Sequence, residues 1–250
     1  MRTISLALCG LVLGWTLDMT MMANGAELQV LAGGGIAAPM KELGPRFESM
    51  SGHKLTIRLG TTPQLIKMSA EGPFDLGVVP TDLMKDDDAR ARFAPGQVTV
   101  ARVGFGVAVR AGAPRPDIGT PETLKQALLA AKSIATVPAS AAGGQVLRVF
   151  DQLGIGEALK AKIQAQPGPA EMVKAVADGG AELGVFLTNV LTAPGLDVVG
   201  PLPAAVQQEL VYTAGIAAGS SQPDAAKAFI DFLRSPDAAA VLKANGMTPG

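Results

Sequence analysis

Cysteine and histidine are almost missing from this chain of 250 residues, which holds one of each. Cys9 falls in the opening segment, so the rest of the chain has no thiol for a disulfide, a nucleophile or a zinc–sulfur site. His53, in the turn SGHK, is the sole imidazole and reads as a solvated loop residue. Cys–His and Ser–His–Asp catalysis therefore lack their parts, and a transition metal would have to rely on carboxylates, so neither a metal nor a cofactor is expected. Charge of one sign is also lacking: 21 basic and 22 acidic side chains leave a net charge of −1, with no basic excess to meet nucleic-acid phosphates. Finally, no long hydrophobic run is present. Residues 4–15 are mostly apolar but far short of the roughly 20 residues that cross a bilayer, and no later stretch does better.

That short run comes after Arg2 and gives way to small residues, the pattern of a secretory signal peptide over residues 1–26. Cleavage after Gly25 or Ala26 would leave a periplasmic protein beginning near Glu27. Removing the leader takes away Arg2 and Asp18 together, so the charge balance is unchanged.

The rest of the chain alternates short β-like runs with helical ones, which argues for α/β layers with mostly parallel sheets. LQVLA at 28–32 reads as a strand, and Met40, Leu43, Phe47 and Met50 then recur at helical spacing. KLTIRL at 54–59, DLGVV at 75–79, 133–137 and 182–187 read as further strands, each tied to a helix. Thr120 and Ser235 each precede a proline, the signature of an N-cap followed by a first helical residue. Residues 194–203 read as a Pro/Gly-rich connection. Two β-like runs are long, 98–109 and 209–218, and the first is interrupted by Gly104 and Gly106, as strands that change sheet often are. These are the natural places for two crossings between two lobes, expected at 27–105 with 213–250 and at 106–212.

Three strand-to-helix turns carry the chemistry: Gly33-Gly34-Gly35-Ile36, Gly60-Thr61-Thr62-Pro63, and residues 139–144, which are built from Ala, Ser and Gly. A helix start offers unpaired N–H groups and a partial positive charge, so several converging on one cleft bind an anion without a basic side chain. Glycine and alanine allow close approach, and threonine adds hydroxyl donors. In open α/β sheets such turns lie at the carboxyl ends of strands, where ligands bind. Asp75 reads as structural, Asp86, Asp87, Asp88, Arg90 and Arg92 as a solvated helix face, and Arg58, Arg102 or Arg110 as side chains able to reach the cleft.

VLAGGGIAAPMKELGPRFESMSGHKLTI, LGTTPQLIKMSAEGPFDLGVVP, SIATVPASAAGGQVLRVFDQLG and the closing YTAGIAAGSSQPDAAKAFIDFLRSPDAAAVLKANGM together resemble the periplasmic molybdate-binding family of ABC importers across essentially the whole chain after the leader. The resemblance implies the type II periplasmic-binding-protein fold, with two α/β lobes, two hinge crossings and closure over a small anion for a membrane permease, with the protein a monomer. The family's serine-containing first loop falls on Gly34, Gly35 and Ile36, and its second loop on Thr61 and Thr62. Its helix start in the second lobe falls on Ala142 and Gly143. Its tyrosine falls on Leu187, with Thr188 and Asn189 next in the chain as replacement donors. Gly35 lacks the family's hydroxyl and Leu187 its phenol, a departure that suits a divergent paralogue for another oxyanion or a small organic anion. The alternative is a periplasmic isomerase of an aconitate-like tricarboxylate on the same scaffold. It would have to draw its acid and base from His53, Tyr212 and scattered charged residues that form no recognisable constellation.

Overall fold

The computed structural model describes residues 25–250; the expected leader, up to residue 24, lies outside them. The chain opens with β1 (Glu27–Gly33), a 3₁₀ turn at Gly34–Ile36, and α1 (Ala37–Ser51). Gly52, at φ 75°, takes the left-handed conformation that ends α1, and its N–H donates to Glu48 O. The helix buries Met40, Leu43 and Phe47, whereas Met50 is 67% exposed, so the apolar stripe stops one turn sooner than its spacing suggests. Then come β2 (Lys54–Gly60), α2 (Thr62–Glu71), β3 (Leu76–Pro80), the short α3 (Asp87–Arg90) and the long β4 (Val98–Arg110).

A second run of units comprises α4 (Pro121–Ala130), β5 (Ile134–Thr136), α5 (Ala141–Gln152), α6 (Gly156–Leu159) and β6 (Ile163–Ala165). It continues through α7 (Pro169–Ala177), β7 (Leu183–Leu187), α8 (Thr188–Leu191) and β8 (Leu196–Pro201). The chain closes with β9 (Glu209–Ile216), α9 (Pro223–Leu233), α10 (Pro236–Ala244) and β10 (Thr248–Pro249). Thr120 and Ser235 cap α4 and α10 as their sequences predict, each accepting an N–H from three residues on. The Pro/Gly-rich stretch at 194–203 is not a plain connection, because β8 runs through it and pairs with β4.

The strands run in the order β2-β1-β3-β9-β4-β7-β5-β6, with β8 and β10 also on β4. One strand belongs to both lobes. Residues 98–104 of β4 pair with β9, and residues 105–110 pair with β7 and β8. The outer strands are parallel, β1 with β2 and β3, and β5 with β6 and β7. Every pairing of β4 and β9 is antiparallel, so the sheets are mixed where mostly parallel ones were expected. The reason lies in β4 and β9 themselves: they link the lobes and so run against the βα units on either side. The chain returns through residues 202–208, where the Gln207 side chain holds Phe105 at both ends, accepting its N–H and donating to its carbonyl, each at 2.9 Å.

Alternation along β1 and β3 sorts side chains to two faces. Leu28, Val30, Ala32, Leu76 and Val78 join the main core, while Leu31 and Val79 join a smaller cluster with Leu65, Phe74 and Phe93. Asp75 is structural, accepting Gln29 N–H at 2.8 Å and the Ser220 hydroxyl at 2.7 Å. His53 is half-buried where a solvated loop residue was expected, because its Nδ1 accepts Ala26 N–H at 3.0 Å and its ring lies near Phe47. Among the described residues, no helix is long and apolar enough to cross a membrane, and no cluster of three metal-ligating side chains occurs.

Candidate functional site

The carboxyl ends of β1, β2 and β3 face the start of α5 and the end of β7 across a cleft. Its inner end is a small pocket of about 20 Å³ that Gly34, Gly35, Thr61, Thr62, Ala142 and Leu187 help to line. Six of the ten residues singled out from the sequence thus meet at one place. Asn189 lines the wider outer part of the cleft, about 810 Å³, which Gly34, Gly35 and Thr61 also reach.

Three of the ten are placed elsewhere. Ile36 is a core residue at 2% exposure, because the 3₁₀ turn rotates it inward beneath α1. Gly143 packs against the carbonyl of Val137, leaving no room there for a side chain, and its N–H is already given to Ser140 Oγ at 2.9 Å. Thr188 donates its hydroxyl to Gly104 O at 3.3 Å, toward β4. The arginines do not reach the cleft either: Arg58 donates to Pro73 O, and among the described residues no Lys, Arg or His lines the inner pocket or the outer cleft.

The polar groups that do line the pocket are neutral. Thr61 gives both its N–H and its hydroxyl to Gln64 Oε1, at 2.8 and 3.1 Å, so it holds the start of α2 in shape. Thr62 Oγ1 accepts Ala141 N–H at 3.3 Å from the opposite side of the cleft, which leaves its own proton to give. Ser140 caps α5, accepting from Gly143 and donating to Val137 O at 2.8 Å. The start of α7, at Gly168 and Pro169, also borders the cleft, a fourth helix start that the PGP run at 167–169 signals in the sequence.

The sequence offers Tyr212 only as an acid or base for the isomerase alternative and does not place it in the cleft. Tyr212 lies on β9 opposite Pro80 of β3, and its side chain crosses to the inner pocket, where a Cβ added to Gly35 would collide with both Tyr212 Oη and Leu187 Cδ1. No hydrogen-bond partner for the Tyr212 hydroxyl is found among the described residues. Burial pushes its pKa well above the ordinary value of 10.0, so it remains a neutral donor. The phenol thus lies beside Gly35, on the same side as Leu187.

Two further bonds cross the cleft. Asn189 Nδ2 donates to Gly35 O at 2.7 Å, and Gln145 Nε2 donates to Asp82 Oδ2 at 3.3 Å. Asn189 and Gln145 are 8% and 7% exposed, and the amide oxygen of each has no partner. An unpaired buried acceptor costs about 1–3 kcal/mol, so both oxygens favour a donor brought by ligand or water.

The chain resembles known proteins over nearly its whole described length. The family profile described as "Bacterial extracellular solute-binding protein" matches residues 28–248. A Pseudomonas aconitate isomerase is 35% identical over 237 residues, covering 89% of this chain and 87% of that protein. The molybdate-binding protein ModA of Azotobacter vinelandii is 30% identical, covering 90% of each. Among solved structures, a periplasmic molybdate-binding protein of Azotobacter vinelandii superposes with a TM-score of 0.75 at 20% identity, over 88% of this chain and 98% of that one.

Proposed function

The chain belongs to the bacterial extracellular solute-binding proteins, in the molybdate-binding family with its type II two-lobed fold, and on that premise we propose that it captures a small anion in the interlobe cleft for an ABC importer in the periplasm. The lobes of this proposal are residues 27–105 with 213–250, and 106–212, with the return seam lying within 202–213. The signal peptide and the permease partner are part of the same reading.

One observation carries it: the inner pocket gathers helix starts, the Thr62 hydroxyl and the Tyr212 phenol, and among the described residues no cationic or acidic side chain lines it. Such a set, rich in neutral donors and lined by no carboxylate among the described residues, favours an oxyanion that carries no proton of its own, because no charged acceptor is there to take one. A pocket of about 20 Å³ has room for one water. Opening at β4 and residues 202–208 must therefore precede capture, with closure over the anion afterwards. Isothermal titration calorimetry against molybdate, tungstate, sulfate, phosphate, citrate and trans-aconitate tests this. Binding of the proton-free tetrahedral ions above phosphate supports the proposal, and no binding of any of them sinks it.

The 35% identity to an aconitate isomerase favours a second reading, isomerisation of an unsaturated tricarboxylate. Tyr212 in the inner pocket and Glu171 in the outer cleft would be its acid and base. Three carboxylates would find no cationic partner there, which ranks this reading second. Turnover of trans-aconitate by the pure protein would reverse the order.

A further inference from the structure

We propose that the anion is the head of a singly charged organic molecule, whose carbon body lies in the outer cleft; this rests on the anion-binding reading of the inner pocket. The two spaces adjoin, sharing Gly34, Gly35, Gly60, Thr61 and Pro169. They differ sharply in size and chemistry. At about 810 Å³ the outer cleft is as large as a site for a small organic ligand. A tetrahedral oxyanion needs only on the order of 100 Å³, at about a water's volume per oxygen.

The outer walls are mostly apolar, with Leu59, Val173, Val190 and Ala193 on opposite sides. Leu59 is one of three large hydrophobic side chains exposed by more than a third among the described residues, at 46%. An apolar side chain left in water at the mouth of an anion site gains free energy when a hydrocarbon covers it. Bonded to Gly35, which lines both spaces, is Asn189 of the outer cleft, buried and with an unpartnered Oδ1.

Charge decides which organic anions qualify. Glu171 is the one ionisable side chain lining the outer cleft among the described residues, and no cation accompanies it. A second anionic group on the ligand would face that carboxylate without a partner. The body is therefore uncharged, with or without a hydrogen-bond donor. A sulfonate or carboxylate on a short carbon chain has this form, with a head that carries no proton at neutral pH.

Calorimetry with sulfate, methanesulfonate, propanesulfonate, pentanesulfonate and ethane-1,2-disulfonate, and with acetate and pentanoate to compare heads, tests the assignment. Affinity is expected to rise up to about fourfold per added methylene, with the disulfonate weaker than propanesulfonate. Leu59→Asn and, separately, Val173→Asn should flatten the dependence on chain length while leaving sulfate binding within about twofold, with circular dichroism confirming the fold. Sulfate binding with no gain from chain length, or a gain untouched in both folded variants, overturns the subsite and leaves the anion reading standing. Failure of every probe to bind removes both.

Discussion

Tyr212 is the only tyrosine in the chain, and its replacement by phenylalanine isolates one hydroxyl. That hydroxyl has no protein partner among the described residues, so Tyr212→Phe should leave the melting temperature unchanged while weakening the best-bound anion roughly ten- to a hundredfold, the loss of one hydrogen bond to a charged group. Calorimetry and thermal melts on the same sample check both halves. The phenol also sets a pH dependence. Its folded pKa is raised, so below about pH 10 it is neutral in both states and adds no slope; above that the unfolded chain ionises while the folded chain keeps its proton, and stability falls. Urea denaturation at about pH 8.5 and pH 11 should show this loss in the native protein and a smaller one in Tyr212→Phe. Gly35→Val drives a side chain into Tyr212 and Leu187, and should cost about 1–3 kcal/mol of stability in addition to abolishing measurable anion binding. Most of the candidate site was legible at this scale, because Gly34, Gly35, Thr61, Thr62 and Ala142 all open helices after strands, a pattern written locally. The place of Tyr212 was not, since it reaches the pocket from within β9, through a pairing with Pro80 that no local pattern encodes.

Among the elements, α5 shows how a helix start is held open toward a cleft. Ser140 takes up the Gly143 N–H and anchors itself on Val137 O, and Thr62 receives the Ala141 N–H. Ser140→Ala should lower stability by about 1 kcal/mol, a typical N-cap loss, and shift the melting temperature by roughly 2–4 °C; differential scanning calorimetry measures it. The longer elements were legible because their apolar spacing is long enough to declare a period, as with Val146, Val149 and Phe150 on α5. The short ones were not. β8 is half-buried at nearly every position and lies in a Pro/Gly-rich run, so it shows neither alternation nor a β-rich composition. β6 has three residues and α8 four, less than one repeat of most patterns. Sheet direction was misjudged for a related reason: βα alternation reports the parallel outer strands, and says nothing of the two that link the lobes.

For the whole molecule, the closed arrangement depends on a few bonds between facing walls. Asn189→Ala removes the donor to Gly35 O, leaving a buried carbonyl unpaired unless the lobes part. The open form should gain about 1–2 kcal/mol relative to the closed one, and small-angle scattering should record a larger radius of gyration for the variant than for the native protein. The shared strand has another consequence, in the order of assembly. About 130 residues separate Thr81, just after β3, from its partner Val211 on β9. During synthesis β3 therefore presents an unpaired edge until almost the whole chain has emerged, while the intervening lobe has every strand of its own sheet. Contacts this distant in sequence form slowly. The lobe begun first is completed last, and its unfinished edge gives a chaperone something to hold until the return strand arrives.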